Sequence, residues 1–176
     1  MLGKIGIIYG SDTGVTEEIT NDIASKITSE SLEVIEVCNV AIADFTRFDL
    51  LFIGLSTWYD GDLQSDWEDY FDTFQTIDFT GQLVAIFGLG DQLGYDDYFV
   101  DGIGILAEVI LQNGGTIIGH WPAEDYDFSA SKGIASDGKF YGLALDEDNE
   151  PQRSPERIEQ WLAQVQQEYK IRLQEA

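Results

Sequence analysis

Two stretches constrain this chain most: Leu50-Leu51-Phe52-Ile53 and Leu83-Val84-Ala85-Ile86-Phe87. Each is apolar at every position, so neither face of the segment is built for water. Short continuous runs of this kind suit strands buried on both faces of a parallel sheet. The spacing predicts strands over Lys4-Tyr9, Glu33-Cys38, Leu50-Leu55, Leu83-Gly88 and Thr116-Gly119. Helical patterns over 13–28, 67–74, 100–112 and 155–173 alternate with them. That alternation predicts an α/β fold with helices on both sheet faces, a three-layer sandwich. Five strands suit the order 2-1-3-4-5, with ligands at the carboxyl ends near the switch between strands 1 and 3.

Punctuation residues support the boundaries. Asn113-Gly114-Gly115 tolerates left-handed backbone and should stop the third helix. Ser154 then Pro155 should start the last, with Ser as N-cap and Pro at the first helical position. Ile158, Trp161, Leu162, Val165 and Tyr169 follow as one apolar stripe. The segment from His120 to Asn149 lacks a helical pattern. It reads as an insertion, over about 120–140, that splits the fifth strand. No repeat or Pro/Gly/Ser-rich linker divides the chain, so 1–176 reads as a single domain.

Charge narrows the partners. Thirty-three acids face nine bases, a formal net charge of −24. That field disfavours nucleic acid and anionic membrane and favours basic protein surfaces. No apolar run reaches spanning length, so no membrane insertion is expected. The opening residues form a strand pattern rather than a signal peptide. One cysteine, Cys38, and one histidine, His120, exclude a disulfide framework and paired-Cys or paired-His metal sites. A reducing compartment is the default, so the expected location is cytoplasmic. Cys38 should close strand 2 as a packing residue.

Three loops lie where the ligand edge should be. The first is Ser11-Asp12-Thr13-Gly14-Val15-Thr16-Glu17, a strand-to-helix turn of hydroxyls and one glycine. The first amides of a helix have no intrahelical acceptor, and the dipole adds positive charge there. Such a turn can cradle phosphate, though helix caps use the same residue types. It lacks the lysine of nucleotide-triphosphatase loops and the third glycine of dinucleotide fingerprints. The second loop holds Ser56-Thr57-Trp58-Tyr59-Asp60-Gly61, and the third Gly88-Leu89-Gly90-Asp91-Gln92-Leu93-Gly94-Tyr95. Aromatic rings on two loops flanking a phosphate cradle could sandwich a flat ring system.

These loops closely resemble those of the flavodoxins, electron carriers that bind flavin mononucleotide (FMN). Residues 11–17 match the family's phosphate loop, Thr/Ser-x-Thr-Gly-x-Thr-Glu. Ser56-Thr57-Trp58 with Leu63-Gln64-Ser65-Asp66-Trp67 match the second loop, and 88–95 the third. The 120–149 segment, ending Gly142-Leu143-Ala144-Leu145-Asp146-Glu147-Asp148-Asn149, resembles the insertion of the long-chain subgroup, cyanobacterial or algal in type.

The resemblance implies a low-potential, one-electron carrier, not an enzyme, cycling between semiquinone and hydroquinone. It implies that Ser11, Asp12, Thr13, Gly14, Val15 and Thr16 bind phosphate. Ser56 and Thr57 would touch the ribityl chain, and Trp58 and Tyr95 would cover the two ring faces. Leu89, Gly90 and Asp91 would meet the pyrimidine edge, with Tyr98 near the ring and Asp146 near the ribityl hydroxyls. Tyr59, Asp60 and Gly61 form the turn whose Tyr59-Asp60 peptide would rotate on reduction, drawing Asp60 towards positive φ. Implied partners are basic redox proteins, such as ferredoxin-NADP reductase and photosystem I, met by a monomer. In an alga the location would be the plastid stroma. A quinone or azo reductase of the same fold would need a second substrate over the ring, which Trp58 and Tyr95 would block. A phospho-acceptor signalling domain would need an Asp at the end of strand 3, where Gly54-Leu55-Ser56-Thr57 stands.

Overall fold

Strand β3, Leu50–Trp58, is buried from Leu50 through Ser56. In the computed structural model, which describes residues 2–175, it lies at the centre of the sheet. β1 (Leu2–Tyr9) pairs with it in parallel on one side and β5 (Leu83–Leu89) on the other. β2 (Ser29–Glu36) forms the edge beside β1, and Val34 there is 43% exposed. The far edge is split. β6 (Thr116–Ile118) pairs with Leu83–Ala85, and β7 (Leu143–Leu145) pairs with Phe87–Leu89. Counting β6 and β7 as two halves of one strand, the order is the expected 2-1-3-4-5, with the inserted segment between the halves. A short β4 (Asp62–Leu63) folds back antiparallel on Thr57 and Trp58, a hairpin not anticipated from sequence.

The helices cover both faces. α1 (Val15–Lys26) buries Thr16, Ile19, Thr20 and Ile23, spaced to face one way. α4 (Ser154–Glu175) buries Ile158, Trp161, Val165 and Tyr169. Trp161 meets Phe52 and Phe87 edge-on, ring centroids 5.6 and 6.3 Å apart. On the opposite face, α3 (Asp101–Gln112) brings Gly102 and Ile103 against Leu55 and Gly88. α2 (Ser65–Phe74) carries Trp67 and Phe74 into an aromatic cluster with Phe45 and Phe79.

The inserted segment is anchored by its own rings. Phe99 at the base of α3 packs on Tyr126, Phe128 and Phe140. Trp121 and Phe140 exchange both backbone hydrogen bonds, at 2.9 and 2.8 Å. Two expectations are corrected. Cys38 does not close strand 2 as a packing residue: β2 ends at Glu36, and Cys38 sits exposed in a 3-10 turn over 37–39. Ser154 does not cap α4 from outside. It has helical dihedrals, a 3-10 turn over 151–153 precedes it, and its hydroxyl donates to Glu147.

Candidate functional site

The first loop is held open from within. Gly14 takes φ +93°, a left-handed conformation that suits glycine, and launches α1. The Ser11 hydroxyl oxygen accepts from the amides of Gly14 (3.1 Å) and Glu17 (3.4 Å). Among the described residues, the amides of Asp12, Thr13, Val15 and Thr16 meet no protein acceptor. These donors lie at the positive end of the α1 dipole. The Asp12 carboxylate is tethered towards α2: it accepts from Gln64 Nε2 at 3.0 Å, from the Ser65 amide at 3.4 Å and from the Ser65 hydroxyl. An anion in the cradle is thereby offered the Asp12 backbone amide while its side chain is occupied.

Gln64 is the hub of that tether. It is fully buried, and its Oε1 accepts from the Trp67 amide at 3.2 Å as the cap of α2. Its own amide donates to the Ser56 carbonyl at 3.1 Å. One residue thus fixes the phosphate-type loop, the second loop and a helix start. In sequence it is a single polar residue between Leu63 and Ser65, and nothing there marks it as buried.

The second loop presents unpaired polar atoms. Ser56 Oγ and Trp58 Nε1 are both buried without a hydrogen-bond partner. Buried polar groups are rarely left unpaired, so these two indicate a site for a ligand. Thr57 Oγ1 accepts from the Gly102 amide at 2.9 Å, joining the loop to α3. The turn between β3 and β4 is strained: Tyr59 holds φ +45° and Gly61 φ +92°. Positive φ falls on Tyr59 in this state, not on Asp60. Tyr59, 62% exposed, has its ring 6.2 Å from that of Trp58 and 6.4 Å from that of Tyr95, so it touches both.

The third loop is closed upon itself. Asp91 Oδ1 accepts from the Leu93 amide (3.1 Å), the Gly94 amide (2.7 Å) and Asn149 Nδ2 (2.8 Å). Partial burial acts to raise its pKa, yet the bonds from Gly94, Asn149 and Leu93 hold the carboxyl below the ordinary range. The Gly90 amide is used by the Leu145 carbonyl at 3.0 Å. From Gly90 to Tyr95, the Asp91 amide alone lacks a protein acceptor among the described residues.

A cavity of about 280 Å³ lies where the loops converge. Asp12, Thr13, Val15, Thr16, Ser56, Thr57, Trp58, Tyr59, Leu89, Gly90, Asp91 and Tyr95 line it. Ser11 and Gly14 shape the first loop without lining the cavity. Asp60 and Gly61 belong to the turn beside it, and Tyr98 packs against Gly61. Asp146 does not reach the cavity. It is fully buried and accepts from the Gln92 amide and Nε2, the Asp148 and Asn149 amides and Asn149 Nδ2. Glu147 and Asp148 line the wall instead. Partial burial, with Asp91 and Asp146 nearby, pushes the Asp148 carboxyl up. Wider clefts of about 460 and 420 Å³ lie at the amino ends of the strands, away from the three loops. Among the described residues, no cluster of His, Cys, Asp and Glu is suited to a metal ion.

A parallel α/β sandwich whose loops after β1, β3 and β5 converge on a cavity at the carboxyl edge defines a class of ligand-binding proteins. Comparison with known proteins makes the assignment specific. The flavodoxin family profile matches residues 7–161. Flavodoxin 1 of Escherichia coli K12 is 45% identical over 163 residues, covering 93% of each chain. The flavodoxin of a Nostoc species is 44% identical over 169 residues, 96% of this chain and 99% of that one. The Fusobacterium nucleatum flavodoxin, solved bound to flavin mononucleotide, superposes with a TM-score of 0.86 at 30% identity, covering 96% and 99%. The chain belongs to the flavodoxin family.

Proposed function

We propose that this protein carries single electrons on non-covalently bound FMN, and that basic redox proteins are its partners. The observation that carries the reading is the pairing of four open amides on the first loop with two orphaned polar atoms on the second. A ligand with a phosphate at one end, a polar chain and a flat ring fits that series of donors and rings. FMN is such a molecule, and when bound it supplies one-electron chemistry.

Each part of the chain then has a task. The amides of Asp12, Thr13, Val15 and Thr16, with the Thr13 and Thr16 hydroxyls, hold the phosphate without a cation. Ser56 and Thr57 meet the ribityl chain. Trp58 and Tyr95 exclude water from the ring, and Tyr59 sits between them at the rim. The Asp91 amide donates to the ring's polar edge. The described residues lining the cavity include no Lys or Arg, so no cationic side chain there eases electron addition. Glu147 and Asp148 in the wall make it harder still.

The exposed edge is acidic. Asp60, Asp62, Glu68, Asp69 and Asp97 are exposed around the second and third loops. Such a field orients a basic partner and raises its on-rate. We assign ferredoxin-NADP reductase and photosystem I as such partners. Among the described residues, no helix is long and apolar enough to cross a membrane. We place the protein in the cytoplasm as a single-domain monomer.

Reconstitution of the apoprotein with FMN, followed by reductive titration, tests the proposal. The expected result is stoichiometric binding and two resolved one-electron steps. Steady NADPH oxidation with quinone by the protein alone would overturn it in favour of a reductase. Reduction of a basic partner should slow as ionic strength rises.

A further inference from the structure

The inserted segment meets the third loop at Gln92 and Asp96, and it reaches towards the second loop through one carboxylate. Asp101 opens α3 and is 1% exposed. Its Oδ1 accepts from the Lys132 amide, within the inserted segment, at 2.7 Å. Its Oδ2 faces the turn between β3 and β4: a Cβ built on Gly61 would lie 2.8 Å from Oδ2 and 3.5 Å from Asp101 Cβ. The neighbouring backbone is held on both sides. The Gly102 amide donates to Thr57 Oγ1 at 2.9 Å. The Lys132 carbonyl lies so close to α3 that a Cβ on Gly104 would stand 1.9 Å from its oxygen. Val100, just before Asp101, holds φ +48° while fully buried. Strain of this kind in a β-branched residue persists only where the surroundings over-determine it.

We propose that Asp101 is a positioning residue through which the inserted segment holds the Tyr59–Gly61 turn at the rim of the cofactor cavity. The carboxylate accepts from the Lys132 amide on one side and occupies the space a Gly61 side chain would enter on the other. Removing it frees the turn from the segment while leaving the phosphate loop in place. Burial raises the Asp101 carboxyl, which fits a group enclosed between two backbone segments. The inference rests on the FMN-carrier reading, because the turn matters only if it borders a redox ring.

The test compares Asp101→Ala with Asp101→Asn in the FMN-loaded protein, reading both one-electron potentials and hydrogen exchange at the Lys132 amide. Asp101→Ala should speed exchange at Lys132 by roughly tenfold or more, the loss of one charge-assisted hydrogen bond. It should also change the separation between the two potentials. Asp101→Asn keeps the Oδ1 acceptor and the volume, so it should restore the Lys132 protection and most of the separation. An unchanged separation in Asp101→Ala would overturn the proposal, since the contact would then be structural only. Equal shifts in the Ala and Asn variants would also overturn it, because charge rather than position would be the cause. Should Asp101→Ala not fold, Gly61→Ala approaches from the other side. Its methyl presses on Oδ2 and should speed exchange at the distant Lys132 amide; an unaffected Lys132 overturns the proposal. Failure of the wild-type chain to bind FMN would instead refute the carrier reading itself.

Discussion

The first and third loops border the same cavity and are built in opposite ways. In the first, Ser11 satisfies the Gly14 and Glu17 amides and leaves those of Asp12, Thr13, Val15 and Thr16 free. In the third, Asp91 and Asp146 absorb nearly every nearby donor, from Gln92 to Gly94 and from Asp148 to Asn149. One loop defers its hydrogen bonds to a ligand. The other completes them within the protein and serves as a rigid wall. The contrast teaches that residues at one site divide between affinity and stability, and that hydrogen-bond bookkeeping separates the two.

The contrast breaks most visibly at Asp146. Asp146→Ala orphans several buried donors at about 1–3 kcal/mol each, so we expect a loss of roughly 3–5 kcal/mol of folding stability. Urea unfolding of the apoprotein measures it. A loss under 1 kcal/mol would mean that the third loop is not the self-satisfied element described.

The first loop should respond in affinity. Thr13→Val and Thr16→Val each remove a hydroxyl donor to a charged group, about 1.5–3 kcal/mol, or roughly 10- to 150-fold in FMN affinity. Riboflavin, which lacks the phosphate, should bind each variant as it binds the wild type. Fluorescence titration with both ligands gives the comparison. Equal losses for FMN and riboflavin would place the phosphate elsewhere.

Much of this was legible in the sequence, for a physical reason. Continuous apolar runs such as Leu50-Leu51-Phe52-Ile53 have one stable use, a strand buried on both faces, and the sheet follows from them. Glycine and hydroxyl residues at strand ends marked the loops that line the cavity. What the sequence did not disclose is which polar atoms find partners inside the protein. Asp146 and Asp148 look alike as loop acids, yet one is sealed by five hydrogen bonds and the other lines the cavity. Gln64 reads as an ordinary polar residue and is fully buried. β4 is two residues long, too short for any periodicity to show. Cys38 ends an apolar pattern, but the strand stops at Glu36 and the 3-10 turn that follows leaves it in water.

The turn that joins β3 to β4 sharpens the comparison from a third side, because its strained residue is exposed, whereas strained Val100 is buried. Tyr59 at φ +45° is mostly exposed and buries little. Asn tolerates left-handed backbone better than an aromatic residue. Tyr59→Asn should therefore stabilise the apoprotein by about 0.5–1 kcal/mol, read by urea unfolding. A destabilised variant would show that the ring contacts with Trp58 and Tyr95 outweigh the strain.

The smallest effect concerns the sign of pH dependence within the third wall. Asp148 has its carboxyl pushed up by burial and by Asp91 and Asp146. The folded state therefore binds this proton more readily than the unfolded state does. Stability falls as pH climbs from the ordinary Asp value near 4 through the raised value, and the full penalty remains above it. Asp148→Asn removes that penalty, so its melting temperature should exceed the wild type at pH 7 and converge with it below about pH 4. Asp91 runs the other way. Despite partial burial, the bonds from Gly94, Asn149 and Leu93 lower its carboxyl. Its contribution to stability is present above the ordinary Asp value and is lost as pH falls through the lowered one. Asp91→Asn should thus melt below the wild type at pH 7 and approach it in acid. Two acids of one wall then give opposite shifts under one measurement. Shifts of the same sign would mean that net charge, rather than each carboxylate's own surroundings, sets the stability of this wall.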